Sequence, residues 1–285
     1  MGEVGLIGVG LLGSAIAERL VAAGYQVLGF DVSNVCRAAL QQLGGEVAAS
    51  SAAVVTRCDT VFLSLPDSKI VAELLESIKD ELRPGMRIID TSTGDPDQAV
   101  AIAEALKQGG VDYLDATVLG SSVQTRNGQA IVMVGAADKT YAKSQSLLAS
   151  IASAVFHVGP PGSGSRMKLV VNLVLGLNRA ALAEGLAFAR LLELDATTTL
   201  TILKAGAAYS AIMDTKGEKM LTGDFSPQAR LSQHLKDVRL ILDAAARTGG
   251  TLPLSEAHRQ LLEKAEAAGC GELDNSAILK AYDTP

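Results

Sequence analysis

A lysine and an asparagine four residues apart are the first candidates for chemistry in this sequence of 285 residues. They are Lys168 and Asn172, and they follow the glycine- and serine-rich segment 162–165. This segment predicts the start of a helix, with Ser163 or Ser165 capping the first free N–H groups. Near a helix N-terminus, and if buried, a lysine loses preference for its charged form and can accept a proton near neutral pH. Because residues four apart share a helix face, the pair predicts acid–base catalysis. A solvated surface lysine is the alternative.

A glycine-rich segment near residue 10 is the second candidate, because it has the spacing of a dinucleotide-binding turn. It follows a predicted strand over Glu3–Ile7, and a helix is predicted from Ser14 to about Ala23. The first glycine permits a tight turn, the second admits a pyrophosphate, and the third lets helix and strand pack closely. The residues predicted to contact the cofactor are Gly8, Val9, Gly10, Leu11, Leu12 and Gly13.

Asp31 ends the next predicted strand, Gln26–Phe30. A carboxylate at this position can accept hydrogen bonds from the adenosine ribose hydroxyls and repels a 2′-phosphate. No arginine follows directly, and the first one is Arg37. The sequence therefore predicts NAD as the preferred cofactor, with NADP as the alternative.

Strands and helices alternate up to residue 161, which predicts a Rossmann-type α/β domain with a doubly wound parallel sheet over 1–161. The later strands are predicted at 60–65, 87–90, 111–114, 131–134 and 155–158, with helices at 68–80, 97–108 and 139–151 and a loop at 115–127. From residue 162 to 285 the pattern predicts an all-α domain, joined to the first by a long helix over about 163–193. Its other helices are predicted at 196–204, 211–221, 228–248, 255–268 and 275–281, and Asp195 and Asp274 are expected to be N-caps. Lys168 is then expected in a cleft between the two domains, where ligand pockets are common.

Polar groups follow several predicted strands, at the sheet edge where ligands of such folds bind. We predict that Leu65, Pro66 and Thr93 contact the cofactor. Hydroxyls and amides of the same loops can hold a small carboxylate, and the predicted substrate-binding residues there are Ser92, Thr93, Gly120, Ser121 and Ser122.

Composition narrows the class of protein. The net charge is −6, and acidic and basic residues are interspersed along the chain, which argues against a nucleic-acid or anionic membrane partner. The apolar run 169–177 is too short to span a membrane, and no targeting segment is evident, so we expect a cytoplasmic protein. Three scattered cysteines and three histidines give no disulfide framework and predict no metal site. The long apolar helix predicts a homodimer or homotetramer.

The order of these motifs resembles the β-hydroxyacid dehydrogenase family, which contains 3-hydroxyisobutyrate dehydrogenase and tartronate semialdehyde reductase. The glycine turn, the segment Asp90–Pro96, the segment Gly162–Asn172 and the pair Lys236-Asp237 carry the resemblance. It implies that Lys168 is the acid–base residue, that Asn172 holds substrate, and that Thr93 and Lys236 lie against the nicotinamide. It also implies hydride transfer between NAD(P) and a small 3-hydroxy acid or its semialdehyde.

One segment departs from the family. Its substrate loop usually reads Asp-Ala-Pro-Val-Ser-Gly-Gly, whereas Thr117, Leu119 and Ser121 stand here for the proline, the serine and the second glycine. The amides of Gly120 and Ser121, or the hydroxyls of Ser121 and Ser122, remain candidates for holding a carboxylate. The altered loop leaves the substrate open. A C=N (imine) reductase on the same scaffold and a non-catalytic dinucleotide-binding module are the alternatives; a 6-phosphogluconate dehydrogenase is disfavoured by the short chain.

Overall fold

The computed structural model describes residues 2–283. The chain folds as two compact units, the first ending at Lys168 and the second beginning at Leu169. The first unit is a nucleotide-binding-type α/β fold and the second is helical, which confirms the predicted fold class. The long helix starts within the first unit, so Lys168 belongs to the same compact unit as the sheet.

The described part of the first unit contains an eight-stranded sheet with the order β3-β2-β1-β4-β5-β6-β7-β8. All neighbouring strands are parallel except β6 and β7, which are antiparallel. The strands are β1 (Glu3–Ile7), β2 (Gln26–Phe30), β3 (Glu46–Val47), β4 (Thr60–Leu63), β5 (Arg87–Asp90), β6 (Asp112–Leu119), β7 (Ile131–Gly135) and β8 (Ala154–Gly159). The strand order reverses between β1 and β4, and ligands of open α/β sheets bind at such a switch point.

Helices cover both faces of this sheet. They are α1 (Leu11–Ala22), α2 (Asn34–Gln42), α3 (Ser51–Arg57), α4 (Ser68–Ser77), α5 (Pro96–Gln108), the short α6 (Ser122–Arg126) and α7 (Asp138–Ala149), with a 3₁₀ turn at Lys79–Glu81. Apolar side chains alternate along the strands between two cores. Leu6 and Phe62 enter one core, and Ile7 and Leu63 enter the other, as the two-residue period of a strand requires.

The predicted loop at 115–127 is wrong. Strand β6 continues through Asp115 to Leu119, and a helical turn follows at Ser122. The polar residues Asp115 and Thr117 suggested a loop, but both are fully buried in the strand because their side chains bind the start of the next long helix. Buried polar groups of this kind need partners that no local pattern shows.

The second unit is a helical bundle. Its elements are α8 (Ser163–Leu191), which begins in the first unit, α9 (Ala196–Ala205), α10 (Ile212–Thr222), α11 (Leu231–Arg247), α12 (Pro253–Ala265), a π turn (Glu266–Cys270) and a 3₁₀ helix (Asn275–Tyr282). Asp195 caps α9 and Asp274 caps the 3₁₀ helix, as predicted. Residues such as Leu231, Leu235 and Ile278 form a fully buried core.

Helix α8 is longer than the apolar run considered in the sequence. Within the described residues it is the one helix whose length and composition would allow it to cross a membrane. However, 44% of its most apolar window is buried inside the fold, and the core helix of a bundle meets the same criteria.

Candidate active site

The glycine turn between β1 and α1 is built to receive an anion. Gly8 has φ of +92°, and a Cβ there would lie 2.3 Å from the Ser64 carbonyl oxygen at the end of β4. A Cβ on Gly13 would lie 2.0 Å from the Gly8 carbonyl oxygen. By contrast, a Cβ on Gly10 would meet no atom within 4 Å, and this N-cap residue of α1 has no side chain that could cap the first N–H groups. Exposed backbone at a helix N-terminus binds phosphate, so this turn fits the pyrophosphate of a dinucleotide.

Asp31 lies beside this turn. Its Oδ2 accepts a hydrogen bond from the Val9 N–H at 2.7 Å, and its Oδ1 accepts one from the Ser33 N–H at 2.8 Å. Each carboxylate oxygen keeps a lone pair for a further donor, such as a ribose hydroxyl. The Arg37 guanidinium donates to the Asp31 carbonyl oxygen and stands 5.6 Å from the Phe30 ring centroid. An arginine thus lies next to the acid, although the sequence placed it six residues away.

The loops after β4 and β5 are tied together. The Leu65 N–H donates to the Ser92 hydroxyl oxygen at 2.9 Å, and the Ser92 N–H donates to Asp90 Oδ1 at 2.9 Å. Tyr113 donates its hydroxyl to Asp90 Oδ2 at 2.9 Å, and burial raises the pKa of that carboxyl. Ser92 is therefore buried and its hydrogen bonds hold the two loops together, whereas Thr93 is half-buried. Cofactor contact by Leu65, Pro66 and Thr93, and substrate contact by Ser92, remain predictions.

The start of α8 is capped by Asp115, not by Ser163 or Ser165 as predicted. Its Oδ1 accepts from the Gly162 N–H at 2.8 Å and its Oδ2 from the Ser165 N–H at 2.7 Å. Burial raises the pKa of Asp115 to about 6, and these two N–H donors offset that effect only in part. The cap comes from 47 residues earlier in the chain, so a search for local caps could not find it.

Lys168 lies one turn further along α8 and is half-buried. Its Nζ donates to the Val118 carbonyl oxygen at 2.6 Å, near the carboxyl end of β6. The neighbouring residue on β6, Thr117, donates its hydroxyl to the Gly164 carbonyl oxygen at 3.0 Å. The strand therefore contacts both the helix start and the amine of its lysine.

The residues after β6 form a capped turn. Gly120 is exposed, and Ser121 and Ser122 are half-buried. Ser121 Oγ accepts from the Gln124 N–H at 3.2 Å, and Gln124 Oε1 accepts from the Ser121 N–H at 2.8 Å. This capping box engages the Ser121 amide, which corrects its prediction as a carboxylate donor. Substrate contacts by the Gly120 amide and by the two serine hydroxyls remain predictions.

Asn172 is buried in the second unit with 8% of its surface exposed. Its Nδ2 donates to Asp237 Oδ2 on α11 at 3.1 Å. Because a carboxylate can only accept, the amide nitrogen faces Asp237 and the amide oxygen faces away. Lys236, the residue before Asp237, is half-buried on the same helix.

A buried arginine on α8 lies near this pair. Arg179 is 1% exposed, and burial lowers the pKa of its guanidinium to about 10, while the charges of Asp237 and Asp274 oppose that shift. Asp274 in turn accepts from Lys216 Nζ, with both oxygens at 2.9 Å. Opposite charges therefore balance inside the bundle, as buried charges require.

Four residues that make contacts at the site were not among the site residues predicted from the sequence: Arg37, Asp115, Thr117 and Asp237. The last three lay inside segments already singled out, the altered substrate loop and the Lys-Asp pair. The one sequence signal for these contacts is a polar residue on the otherwise apolar face of a strand or helix. The predicted glycine turn and Asp31 do come together in the structure.

Two family models match nearly the whole chain. Residues 3–159 match the NAD-binding domain of 6-phosphogluconate dehydrogenase. Residues 162–282 match the NAD-binding domain of NADP-dependent 3-hydroxyisobutyrate dehydrogenase.

Individual proteins agree with these matches. The chain is 31% identical to 2-(hydroxymethyl)glutarate dehydrogenase of Eubacterium barkeri, over 99% of this chain and 95% of that protein. The solved structure of Mycobacterium tuberculosis 3-hydroxyisobutyrate dehydrogenase with L-serine superposes with a TM-score of 0.91 at 26% identity, covering 100% of both chains. The chain is also 28% identical to the cytokine-like nuclear factor N-PAC of Xenopus tropicalis, over 98% of this chain but only 53% of that protein.

Proposed function

The chain belongs to the β-hydroxyacid dehydrogenases of the 3-hydroxyisobutyrate dehydrogenase type, which are NAD(P)-dependent oxidoreductases, and we propose that Lys168 is its general acid–base residue. We propose as substrate a small 3-hydroxy acid, or the corresponding semialdehyde in the reverse direction. The observation that supports this most directly is the Lys168 amine itself. It lies 2.6 Å from the Val118 carbonyl oxygen, at the strand end where ligands of this fold bind.

In oxidation Lys168 Nζ accepts the hydroxyl proton of the substrate as the C–O bond becomes a C=O bond. The bound nicotinamide supplies the acceptor for the hydride that leaves the same carbon. In reduction Lys168 returns a proton to the forming alkoxide. Proton transfer of this kind contributes about 10²–10⁴-fold in rate.

Asn172 contributes an acceptor. Because Asp237 holds Nδ2, the amide oxygen is directed toward other donors. We propose that Asn172, which follows Lys168 by four residues on the same face of α8, positions the substrate or the lysine. Asp237 thereby selects which end of the amide meets the reactants.

We propose that the loop after β6 determines which hydroxy acid binds as substrate. Leu119 is half-buried at the end of β6, where the family pattern has serine. An apolar side chain there favours a substrate with an apolar or longer substituent next to the reacting carbon. We propose that the Gly120 amide and the hydroxyls of Ser121 and Ser122 hold its carboxylate.

The decisive experiment compares Lys168→Ala and Lys168→Arg with the wild type over a panel of 3-hydroxy acids, semialdehydes and cyclic imines. We expect turnover of hydroxy acids or semialdehydes, and a kcat lower by about 10²–10⁴-fold in Lys168→Ala. The Kd of the cofactor should stay within about twofold. Near-normal kcat in Lys168→Ala would contradict the proposal. Turnover of imines alone would identify a C=N reductase, and cofactor binding with no turnover would identify a non-catalytic module.

We propose NAD as the preferred cofactor, because the Asp31 carboxylate retains acceptor capacity for the ribose hydroxyls. Arg37 is the residue that could reverse this preference, since its guanidinium lies at the Asp31 carbonyl oxygen. Titration of NAD and NADP against the wild type and Arg37→Met tests both ideas. Tighter NADP binding that is lost selectively in Arg37→Met would overturn the preference.

We propose that the protein acts in the cytoplasm as a homodimer or homotetramer. The three cysteines, Cys36, Cys58 and Cys270, are free thiols, as in a reducing compartment. Large apolar side chains near the end of α8 remain exposed, which supports self-association.

A further inference from the structure

We propose that Thr117 is a positioning residue that fixes Lys168 for proton transfer. This inference rests on the proposed role of Lys168 as the proton carrier. Thr117 stands where the family pattern has proline, a residue with no side-chain donor. Its side chain is completely buried, with 0% exposed, so the hydroxyl cannot bind substrate and acts only through the groups it contacts.

The hydroxyl of Thr117 contacts the backbone that carries Lys168. Its Oγ donates to the Gly164 carbonyl oxygen at 3.0 Å; the Met133 carbonyl oxygen, at 3.4 Å, is the more distant acceptor. In an α-helix the carbonyl of residue 164 also accepts the N–H of residue 168. Thr117 therefore donates to the same Gly164 carbonyl oxygen that accepts the backbone N–H of Lys168.

The next residue of β6 contacts the other end of Lys168. The Val118 carbonyl oxygen accepts from Nζ at 2.6 Å. Two consecutive strand residues thus fix the lysine at its backbone and at its amine. A small displacement of the helix start against β6 would move Nζ relative to that carbonyl, and misplacement by about 1 Å can cost about 10²-fold in rate.

The packing around Gly164 shows how close this contact is. A Cβ on Gly164 would lie 2.3 Å from the Asp115 carbonyl oxygen and 2.7 Å from the Met133 carbonyl oxygen. The helix start therefore lies directly against the backbone of β6 and β7. At this distance the Thr117 hydroxyl offers a hydrogen bond, whereas a methyl group in its place would face an oxygen and push the helix away.

The test compares Thr117→Val, which keeps the shape and removes the hydroxyl, with Thr117→Ser, which keeps the hydroxyl. We expect kcat to fall by about 10- to 100-fold in Thr117→Val, with KM and cofactor Kd within about twofold of wild type. In Thr117→Ser, kcat should stay within about threefold. The solvent deuterium isotope effect on kcat should rise in Thr117→Val, because proton transfer becomes slower than the other steps.

A double-variant cycle separates this inference from the proposed function. If Thr117 acts through Lys168, adding Thr117→Val to Lys168→Ala should not lower kcat further, because residues that act as a unit are non-additive. Near-normal turnover in Lys168→Ala would refute the role of Lys168 itself. If Lys168→Ala is impaired but Thr117→Val keeps wild-type kcat and only its Tm falls, Thr117 is structural and the inference fails.

A second pair of variants serves if Thr117→Val does not fold. Thr117→Cys replaces the hydroxyl by a thiol, which is larger and a much weaker hydrogen-bond donor. We expect the Cys variant to turn over at least about fivefold more slowly than Thr117→Ser, since the net value of one hydrogen bond is about 1 kcal/mol. Equal kcat values in the two variants would overturn the inference.

Discussion

At the scale of single residues, the site depends on polar groups that are buried and specifically paired. The Val118 carbonyl oxygen can accept from Lys168 in both its neutral and its charged form. The contact would therefore persist through the proposed reaction cycle, in which the amine gains and loses a proton. A carboxylate partner would instead hold the amine in its charged form, which cannot accept a proton.

Asp115 should make stability depend on pH. Its folded-state pKa of about 6 lies above the ordinary value of 3.8, because burial disfavours the charged form. The folded protein thus binds this proton more tightly than the unfolded chain. The stability from this group is fully present below the unfolded pKa and is lost as pH rises through 6. Relative to Asp115→Asn, the free energy of unfolding of the wild type should fall by about 1 kcal/mol from pH 5 to pH 7.

Denaturant unfolding of both proteins at the two pH values measures this difference. Other titrating groups are common to both chains and cancel in the comparison. A difference between wild type and Asp115→Asn that stays constant from pH 5 to pH 7 would show that Asp115 has an ordinary pKa.

Loss of Asp237 should impair turnover by releasing Asn172. In Asp237→Ala the amide can rotate, so kcat should fall by about 10- to 100-fold. In Asp237→Asn the new side-chain oxygen can still accept from Asn172 Nδ2, so the loss should be several-fold smaller. Steady-state kinetics, normalised to folded protein by circular dichroism, give the comparison. If both variants keep wild-type kcat per folded molecule, Asp237 does not orient Asn172.

At the scale of elements, two glycines of the β1–α1 turn are expected to have different roles, Gly13 in stability and Gly10 in cofactor binding. Gly13→Ala places a methyl group 2.0 Å from the Gly8 carbonyl oxygen, and overpacking of this kind costs about 1–3 kcal/mol. Gly10→Ala meets open space, so its Tm should stay within about 2 °C of wild type. It should nevertheless weaken cofactor binding by about tenfold or more, because the methyl group fills the pyrophosphate position.

Thermal denaturation and cofactor titration of the two variants test this separation. An unchanged cofactor Kd in Gly10→Ala would show that the pyrophosphate does not approach this residue. Unchanged Tm in Gly13→Ala would show that α1 can move away from the turn without cost.

Regular elements with strong local signals were predictable from the sequence. The strand Gln26–Phe30 and the helix capped by Asp195 were correct within a residue or so. By contrast, α2, β3 and α3 were not assigned between Asp31 and Thr60. Strand β3 has only two residues, Glu46–Val47, and it pairs with β2 through contacts distant in sequence. Such a short strand carries no period for a pattern to reveal.

The site was predictable where one segment carries its own geometry. The glycine turn and its acid have fixed spacing, and the structure places Asp31 Oδ2 2.7 Å from the Val9 nitrogen. The contacts of Asp115, Thr117 and Asp237 with residues 162–172 each join positions 47 or more residues apart. Periodicity describes only near neighbours, so these contacts had to come from coordinates.

At the scale of the whole molecule, exposed apolar surface predicts self-association. Phe188, Leu191 and Leu192 at the end of α8 are 59%, 76% and 53% exposed, and Ile202 on α9 is 65% exposed. A second copy presents the same face, so an isologous contact would bury it. We expect a dimer or tetramer by light scattering at micromolar concentration, and dissociation in Phe188→Glu/Leu191→Glu. A monomeric wild type would contradict this.

The cap that Asp115 provides also limits how the molecule can be divided or recombined. The first N–H groups of α8 donate to a residue on a strand 47 residues earlier, so the cap of this helix comes from a distant part of the chain. A fragment that starts at Gly162 would lose that acceptor and fray over its first turn, directly before the turn that carries Lys168. A chimaera that grafts the helical half onto a foreign nucleotide-binding half would need to import a matching acid along with the helix.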